Sequence, residues 1–233
     1  MRFIRLIPIV PVISLLFFTA CNNAEIGNSR DVNPDAVYMD YRVSGYDDEE
    51  EVTVVLQFKY AGPFGTTLVL EPPSQILFDG EELTVDSSRF SGAYYELRLP
   101  VGSFAGTHHI SYTDLTGKKY EESFEFPLFR TTDSLPKTIQ PVDFEFQVTG
   151  LSENDTLHLV LTDTAWASRG IDTFQRVGNG RLAIPGDQLT TLSRGPVHLE
   201  MVCNKELPLQ QTTREGGKLQ LTYTLRHKFD LKD

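Results

Sequence analysis

Three observations predict an all-β chain built as two tandem antiparallel sandwiches. Apolar and polar residues alternate through run after run, dipeptides suited to tight turns separate the runs, and four sequence blocks recur in the same order in both halves. No segment after residue 21 carries a long amphipathic helical period.

The chain opens with a processing segment rather than with the fold. Residues 1–20 join a basic head, Met1-Arg2-Phe3-Ile4-Arg5, to an apolar run and then the small residues Thr19-Ala20 before Cys21. That order is the signature of a secretory signal peptide. The apolar run over residues 6–20 is shorter than the roughly 18–20 residues that cross a bilayer, and Pro8 and Pro11 weaken a helix at its start. Phe18-Thr19-Ala20-Cys21 resembles the lipobox of bacterial lipoproteins, with Phe18 where Leu is usual. The resemblance implies cleavage before Cys21, acylation of Cys21 and the membrane as a partner. A plain secretory signal, with Cys21 an ordinary residue, is the alternative. Several acyl chains on one cysteine anchor stably, since each buried methylene contributes about 0.8 kcal/mol and a single chain is marginal. Asn22 stands where enteric bacteria use aspartate for inner-membrane retention, so by resemblance the outer membrane is favoured, on either face. Residues 21–34 are polar and without period, which predicts a flexible tether.

The first sandwich is expected over residues 35–129. Val52, Val54, Leu56, Phe58 and Tyr60 alternate with more polar neighbours, placing one strand face on a core and the other toward water. Tyr95-Leu97-Leu99-Val101 and Phe124-Phe126-Leu128 repeat the pattern, and Asp79-Gly80 tolerates the positive φ of a hairpin turn. A polar connector with two prolines, residues 130–141, reads as an extended and fairly stiff linker. The second sandwich follows over residues 142–233, with alternation at Val197-Leu199-Met201 and Leu219-Leu221-Tyr223-Leu225 and a turn at Asn179-Gly180. Gly216-Gly217-Lys218 reads as the turn before the last strand.

The duplication rests on aligned blocks. Residues 37–45 match 142–150 without a gap, 52–56 match 157–161, 97–100 resemble 182–185 and 106–112 resemble 195–201. Its period far exceeds that of solenoid repeats, so each copy is expected to have its own core. Six or seven strands in about 100 residues resemble the immunoglobulin and fibronectin type III class. The Cys…Trp…Cys framework of antibody domains is lacking, and a small barrel is the structural alternative.

Charge and motifs narrow the function. The sequence holds 21 basic and 32 acidic side chains; without Arg2 and Arg5 the balance is 19 against 32, a formal −13. Nucleic acid is disfavoured, because its recognition needs clustered Lys and Arg. Cys203 falls in phase with Val197, Leu199 and Met201 and reads as a buried, inert thiol. Of five histidines, His109 and His198 occupy equivalent places in the repeat, while His108 and His109 point to opposite strand faces. No HExxH or clustered Cys/His spacing predicts a metal, and no GxSxG elbow predicts a nucleophile. The acidic run over residues 47–51 lacks the spacing of a calcium loop and reads as a solvated hairpin connection. No catalytic residue and no cofactor is assigned, and the chain is expected not to be an enzyme.

Three aromatics are candidate ligand-binding residues: Trp166, the single tryptophan, in a loop; Phe64 within Gly62-Pro63-Phe64-Gly65; and Tyr94, in phase with Glu96 and Arg98 and so facing outward. Each has a plainer reading as a plug or surface ring. The expected function is a membrane-anchored interaction or structural module of the bacterial envelope, partnered by an envelope protein or a glycan. A glycan-binding accessory lipoprotein of a polysaccharide-capture system is the alternative.

Overall fold

A computed structural model of the chain describes residues 25–166 and 168–233. Cys21 and the segment expected to be a signal peptide lie outside the described residues.

The first half contributes β1 (Ile26–Asn28), β2 (Val37–Tyr46), β3 (Glu51–Tyr60), β4 (Thr67–Val69), β5 (Gln75–Phe78), β6 (Glu81–Glu82), β7 (Val85–Ser88), β8 (Gly92–Pro100), β9 (Thr107–Thr113) and β10 (Lys119–Glu125). The second contributes β11 (Arg130–Thr131), β12 (Thr138–Ile139), β13 (Phe144–Thr149), β14 (Thr156–Asp163), β15 (Ile171–Arg176), β16 (Arg181–Ile184), a one-turn helix at Gly186–Leu189, β17 (Gly195–Pro208) and β18 (Gly217–Leu231). The chain is all-β, and each half is a β-sandwich.

One long sheet runs through both halves in the order β4-β3-β2-β18-β17-β14-β15, with β8 and then β7 also attached along β3. The period-2 pattern fixes which face is buried. Tyr41, Leu56, Leu221, Met201 and Leu159 all turn to the same side, and each is at most 2 % exposed. Two smaller sheets cover that side: β10-β9-β5-β6 over the first half and β11-β13-β16 over the second. In the second half the three-strand layer faces the four strands β15-β14-β17-β18, the four-plus-three layering of the immunoglobulin class. Asp79 and Gly80, with φ of 49° and 87°, make the expected tight hairpin between β5 and β6.

Strand pairing differs between the halves. β2 hydrogen-bonds to β3, whereas the matching β13 pairs with β16 in the opposite layer. β14 pairs with β17, but β3 makes no ladder with the matching β9, which joins β10 and β5. The halves are tandem sandwiches with different ladders.

Nor does each half keep its own core. β18 pairs antiparallel with β17 over its whole length, and its first part, from Gly217 to Thr224, runs parallel to β2 from Met39 to Tyr46. One apolar cluster extends through both halves. At its centre Tyr223 meets Phe126 and Phe129 edge-on, at centroid distances of 5.8 and 5.7 Å. Gly217 is required where β18 starts, because a Cβ there would lie 2.6 Å from the Met39 carbonyl oxygen. The loop between β17 and β18 clamps the first half. Thr213 Oγ1 donates to the Val37 carbonyl at 2.6 Å, Gln210 N donates to Glu122 Oε2 at 2.6 Å, and Glu121 N donates to Gln211 Oε1 at 3.1 Å.

Two expected connectors are structured instead. Within 130–141, β11 pairs with β13 and β12 runs beside the end of β18, so the linker is part of the second sandwich. Burial of Ile139, 7 % exposed, outweighs the extended bias of the prolines. Residues 25–34, expected to be tether, lie against the first half. β1 runs parallel to β4, and Ser29 is buried with its Oγ accepting from Glu71 N at 2.9 Å. Asn28 and Asn33 each accept from the backbone two residues on, capping short 3-10 turns. Polar side chains here satisfy backbone groups rather than water, which composition alone does not reveal.

Candidate functional site

The outer edge of the second sandwich carries the most exposed apolar side chains of that half. β14 and β15 form a hairpin whose outer strand, β15, pairs with β14 alone. Ile171 is buried, so Phe174, out of phase with it, projects from the open face of the sheet, 69 % exposed. Opposite it in register, His158 stacks on the Phe174 ring at 4.3 Å with 9° between planes, and its Nε2 lies 2.7 Å from Asp172 Oδ1. The connecting loop holds Trp166, fully exposed.

The loop is footed on a carboxylate. Asp163 accepts from Ala165 N at 3.0 Å and from Ser193 N at 2.5 Å. Burial pushes its ionisation up, but these two backbone donors outweigh it and hold the carboxyl below its ordinary range. Gln175 blunts part of the β15 edge: its side chain donates to the Ala183 carbonyl at 2.6 Å and accepts from Ala183 N at 3.2 Å. The stretch from Ile171 to Phe174 is left as an open edge among the described residues. An unpaired strand edge beside exposed rings is suited to addition of a strand or docking of an apolar segment.

The other two candidate aromatics sit far from Trp166. Phe64 lies in the turn between β3 and β4 and is fully exposed. Tyr94, on β8, faces outward as expected, with its hydroxyl 3.3 Å from Asp86 Oδ2. Trp166 follows the end of β14, at the opposite end of the sheet and near its opposite edge. Six strand spacings of ~4.8 Å separate β4 from β15, about 29 Å along the sheet. The three rings therefore form no common platform. Phe174, and Phe90 in the β7–β8 turn, were not singled out from sequence. The available signal was a lone Phe among polar residues in each short segment.

The histidines divide. His108 is buried between Phe104, at 3.9 Å, and Phe78, with Nδ1 2.8 Å from Asp79 Oδ2; His109 lies on the exposed face against Ser123. His198 is exposed beside an open depression lined by Asp48, Glu200, Arg226, His227 and Lys228. Arg226 is already engaged there, stacked 3.8 Å over Tyr46 and paired with Asp48 at 3.2 Å and Glu200 at 3.4 Å. The acidic hairpin connection is thus docked on β18 rather than fully solvated: Asp47 Oδ1 also accepts from Arg226 N at 2.8 Å. Among the described residues no group of three or more His, Cys, Asp or Glu side chains is placed to hold a metal ion. None of the described helices is long and apolar enough to cross a membrane.

No protein-family model matches the sequence, and no curated protein matches it. Solved structures with related architecture include a tetra-tandem repeat from the extending region of a large adhesion protein, 16 % identical with a TM-score of 0.25. That comparison covers 82 % of this chain, which spans about half (49 %) of the length of that one. SGBP-B of the Bacteroides ovatus mixed-linkage glucan utilization locus, solved with a mixed-linkage heptasaccharide, is 14 % identical over 92 % of this chain and 67 % of its own, with a TM-score of 0.22. The fibronectin(III)-like modules of Clostridium thermocellum CbhA are 9 % identical over 84 % and 94 %, with a TM-score of 0.23.

Proposed function

We propose that the protein is a non-enzymatic interaction module of the bacterial cell envelope, held by lipid on Cys21, that offers the β14–β15 edge to an envelope protein. The observation supporting this is the pairing of an open strand edge with two exposed rings, Trp166 and Phe174, on one hairpin. Large aromatics contribute disproportionately to interface energy when they enter a partner's pocket. The entry of the chain at Glu25, beside β4, leaves this edge at the far side of the sheet from the anchor. A glycan partner is the second reading, favoured by the flat Phe174 ring braced by His158, which presents one face for stacking on a sugar.

The test is capture from detergent-solubilised envelope with the acylated protein and with a Trp166→Ala/Phe174→Ala variant. Loss of a captured protein in the variant supports the edge as the contact. Equal capture by both proteins refutes it. Retention on polysaccharide beads that the variant abolishes assigns the edge to glycan instead. Intact mass of the membrane-extracted protein reads acylation of Cys21 directly.

A further inference from the structure

Deepening that reading, and resting on lipid attachment at Cys21, we propose that the end of the first sandwich bearing Phe64 and Phe90 lies in the surface of the same bilayer that holds the lipid.

The geometry converges on Thr67. Its N and Oγ1 both donate to the Glu25 carbonyl, at 3.1 and 3.0 Å, fixing the first described residue at this end of the molecule. Its Oγ1 also accepts from Ala93 N at 2.9 Å, which draws the start of β8 to the same point. Phe64 lies three positions before Thr67, in the turn closed by Gly65 N donating to the Gly62 carbonyl at 3.0 Å. Phe90 lies three positions before Ala93, in the turn where Ser91 and Ser88 bond to one another. The two rings are 100 % and 90 % exposed, and Arg89, also exposed, stands beside Phe90. Fully exposed phenylalanines at two turn tips, joined through one buried threonine, have no role in the core.

The length of chain before Glu25 says what covers them. Four residue steps lead from Cys21 to Glu25, a reach of about 14 Å at ~3.5 Å per residue. A lipid on Cys21 therefore holds this rim within about that distance of the headgroups. Exposed phenylalanine rings bury themselves at the boundary between headgroups and acyl chains, as on the apolar faces of membrane-surface helices. A tether this short makes their entry an intramolecular step, so two rings suffice where free protein would bind weakly. The acidic chain disfavours attraction to anionic lipid, so the contact is apolar and is retained on zwitterionic membranes. The consequence is a fixed posture, with the rim down and the β14–β15 edge held away from the surface.

Two single-tryptophan proteins test this. The natural sequence reports from Trp166 alone, and Phe64→Trp/Trp166→Phe reports from the rim. Both are fully exposed positions, so neither change disturbs packing. Each mature chain, its acylation confirmed by mass, is reconstituted in phosphatidylcholine vesicles containing brominated phosphatidylcholine. A second arm couples the unacylated chain to a maleimide lipid through Cys21, Cys203 being buried. The expected result in both arms is a blue-shifted rim tryptophan, quenched several-fold more strongly than Trp166. Equal quenching of the two reporters in the maleimide arm overturns the rim contact whatever the acylation result. A missing acyl mass instead overturns the anchoring on which the proposal rests, and with it the native posture. A blue shift without vesicles that grows with protein concentration assigns the rim to a second copy, and likewise overturns it.

Discussion

Replacing Tyr223 by alanine removes the ring that joins the two sandwiches. The side chain is 5 % exposed, its edge-on contacts reach Phe126 and Phe129 in the crossing between the two covering sheets, and Gly45 on β2 leaves it room. Truncating a buried aromatic ring costs 3–5 kcal/mol, from lost transfer energy and the cavity left behind. The two aromatic pairs place this site toward the middle of that range or above it, and we expect a loss of about 4 kcal/mol. Tyr223→Phe keeps the ring and is expected to stay within about 1 kcal/mol. Urea titration followed by circular dichroism reads the total, and hydrogen exchange reads its distribution. In the natural protein, amides of β3 and β14 are expected to share one global opening energy, since they belong to one sheet and one core. In the alanine variant they separate, because the halves lose their common support. A loss below about 1 kcal/mol, or different opening energies for β3 and β14 in the natural protein, would refute the shared-core argument.

Further outcomes follow from buried ionisable groups. Asp40, 2 % exposed, bonds Lys59 Nζ at 2.6 Å and the Arg42 guanidinium; burial pushes its carboxyl up, but those two donors outweigh it and hold it below the ordinary aspartate range. Its contribution is therefore present above the ordinary aspartate value and fades as pH falls through the depressed one, so Asp40→Asn costs about 3 kcal/mol at pH 7 and shortens the acid limb of a stability–pH curve. Glu122 is pushed upward by burial. Its protonated form suits the fold, so stability is lost as pH rises from about 4.5 through the raised value. Glu122→Gln, which keeps an oxygen for Gln210 N, is expected to remove that loss and leave the variant at least as stable at pH 7 in urea melts. Burial raises the Cys203 thiol to about 11. In thiol titration Cys203 is expected to be protected in the native protein and to react only after unfolding.

What could be read in advance was decided by periodicity. Alternation at Val52–Phe58 or Val197–Cys203 states which side chains face the core, but at the end of β3 it fails, since Gln57 and Lys59 on the other face are buried and Tyr60 is 41 % exposed. It does not state which strand lies alongside, because a buried face looks the same beside any neighbour. The parallel contact of β2 with β18 left no local trace, and the four repeated blocks, read as copies with separate cores, share one core and fall in different ladders. Residues 25–34 looked like tether because their polar side chains were counted as water-seeking, whereas Asn28, Ser29 and Asn33 serve backbone groups. Trp166 and Phe64 were visible as unusual residues in loops, and Tyr94 as an outward position. Phe174 and Phe90 gain meaning only from the edge strand and the Thr67 junction that place them.

The neighbour of β2 comes from far down the chain: Val37 and Thr213, which clamp at the start of that contact, are 176 positions apart. Until that distant stretch has been made, β2 presents a bare row of amides and carbonyls, and the emerging first half has a ready template for pairing with another copy. Loop closure over such a span also makes late, slow completion the expected route. A chain of this design depends on being shielded while its second half is completed, so chaperoning rather than stability alone should govern how much of it folds.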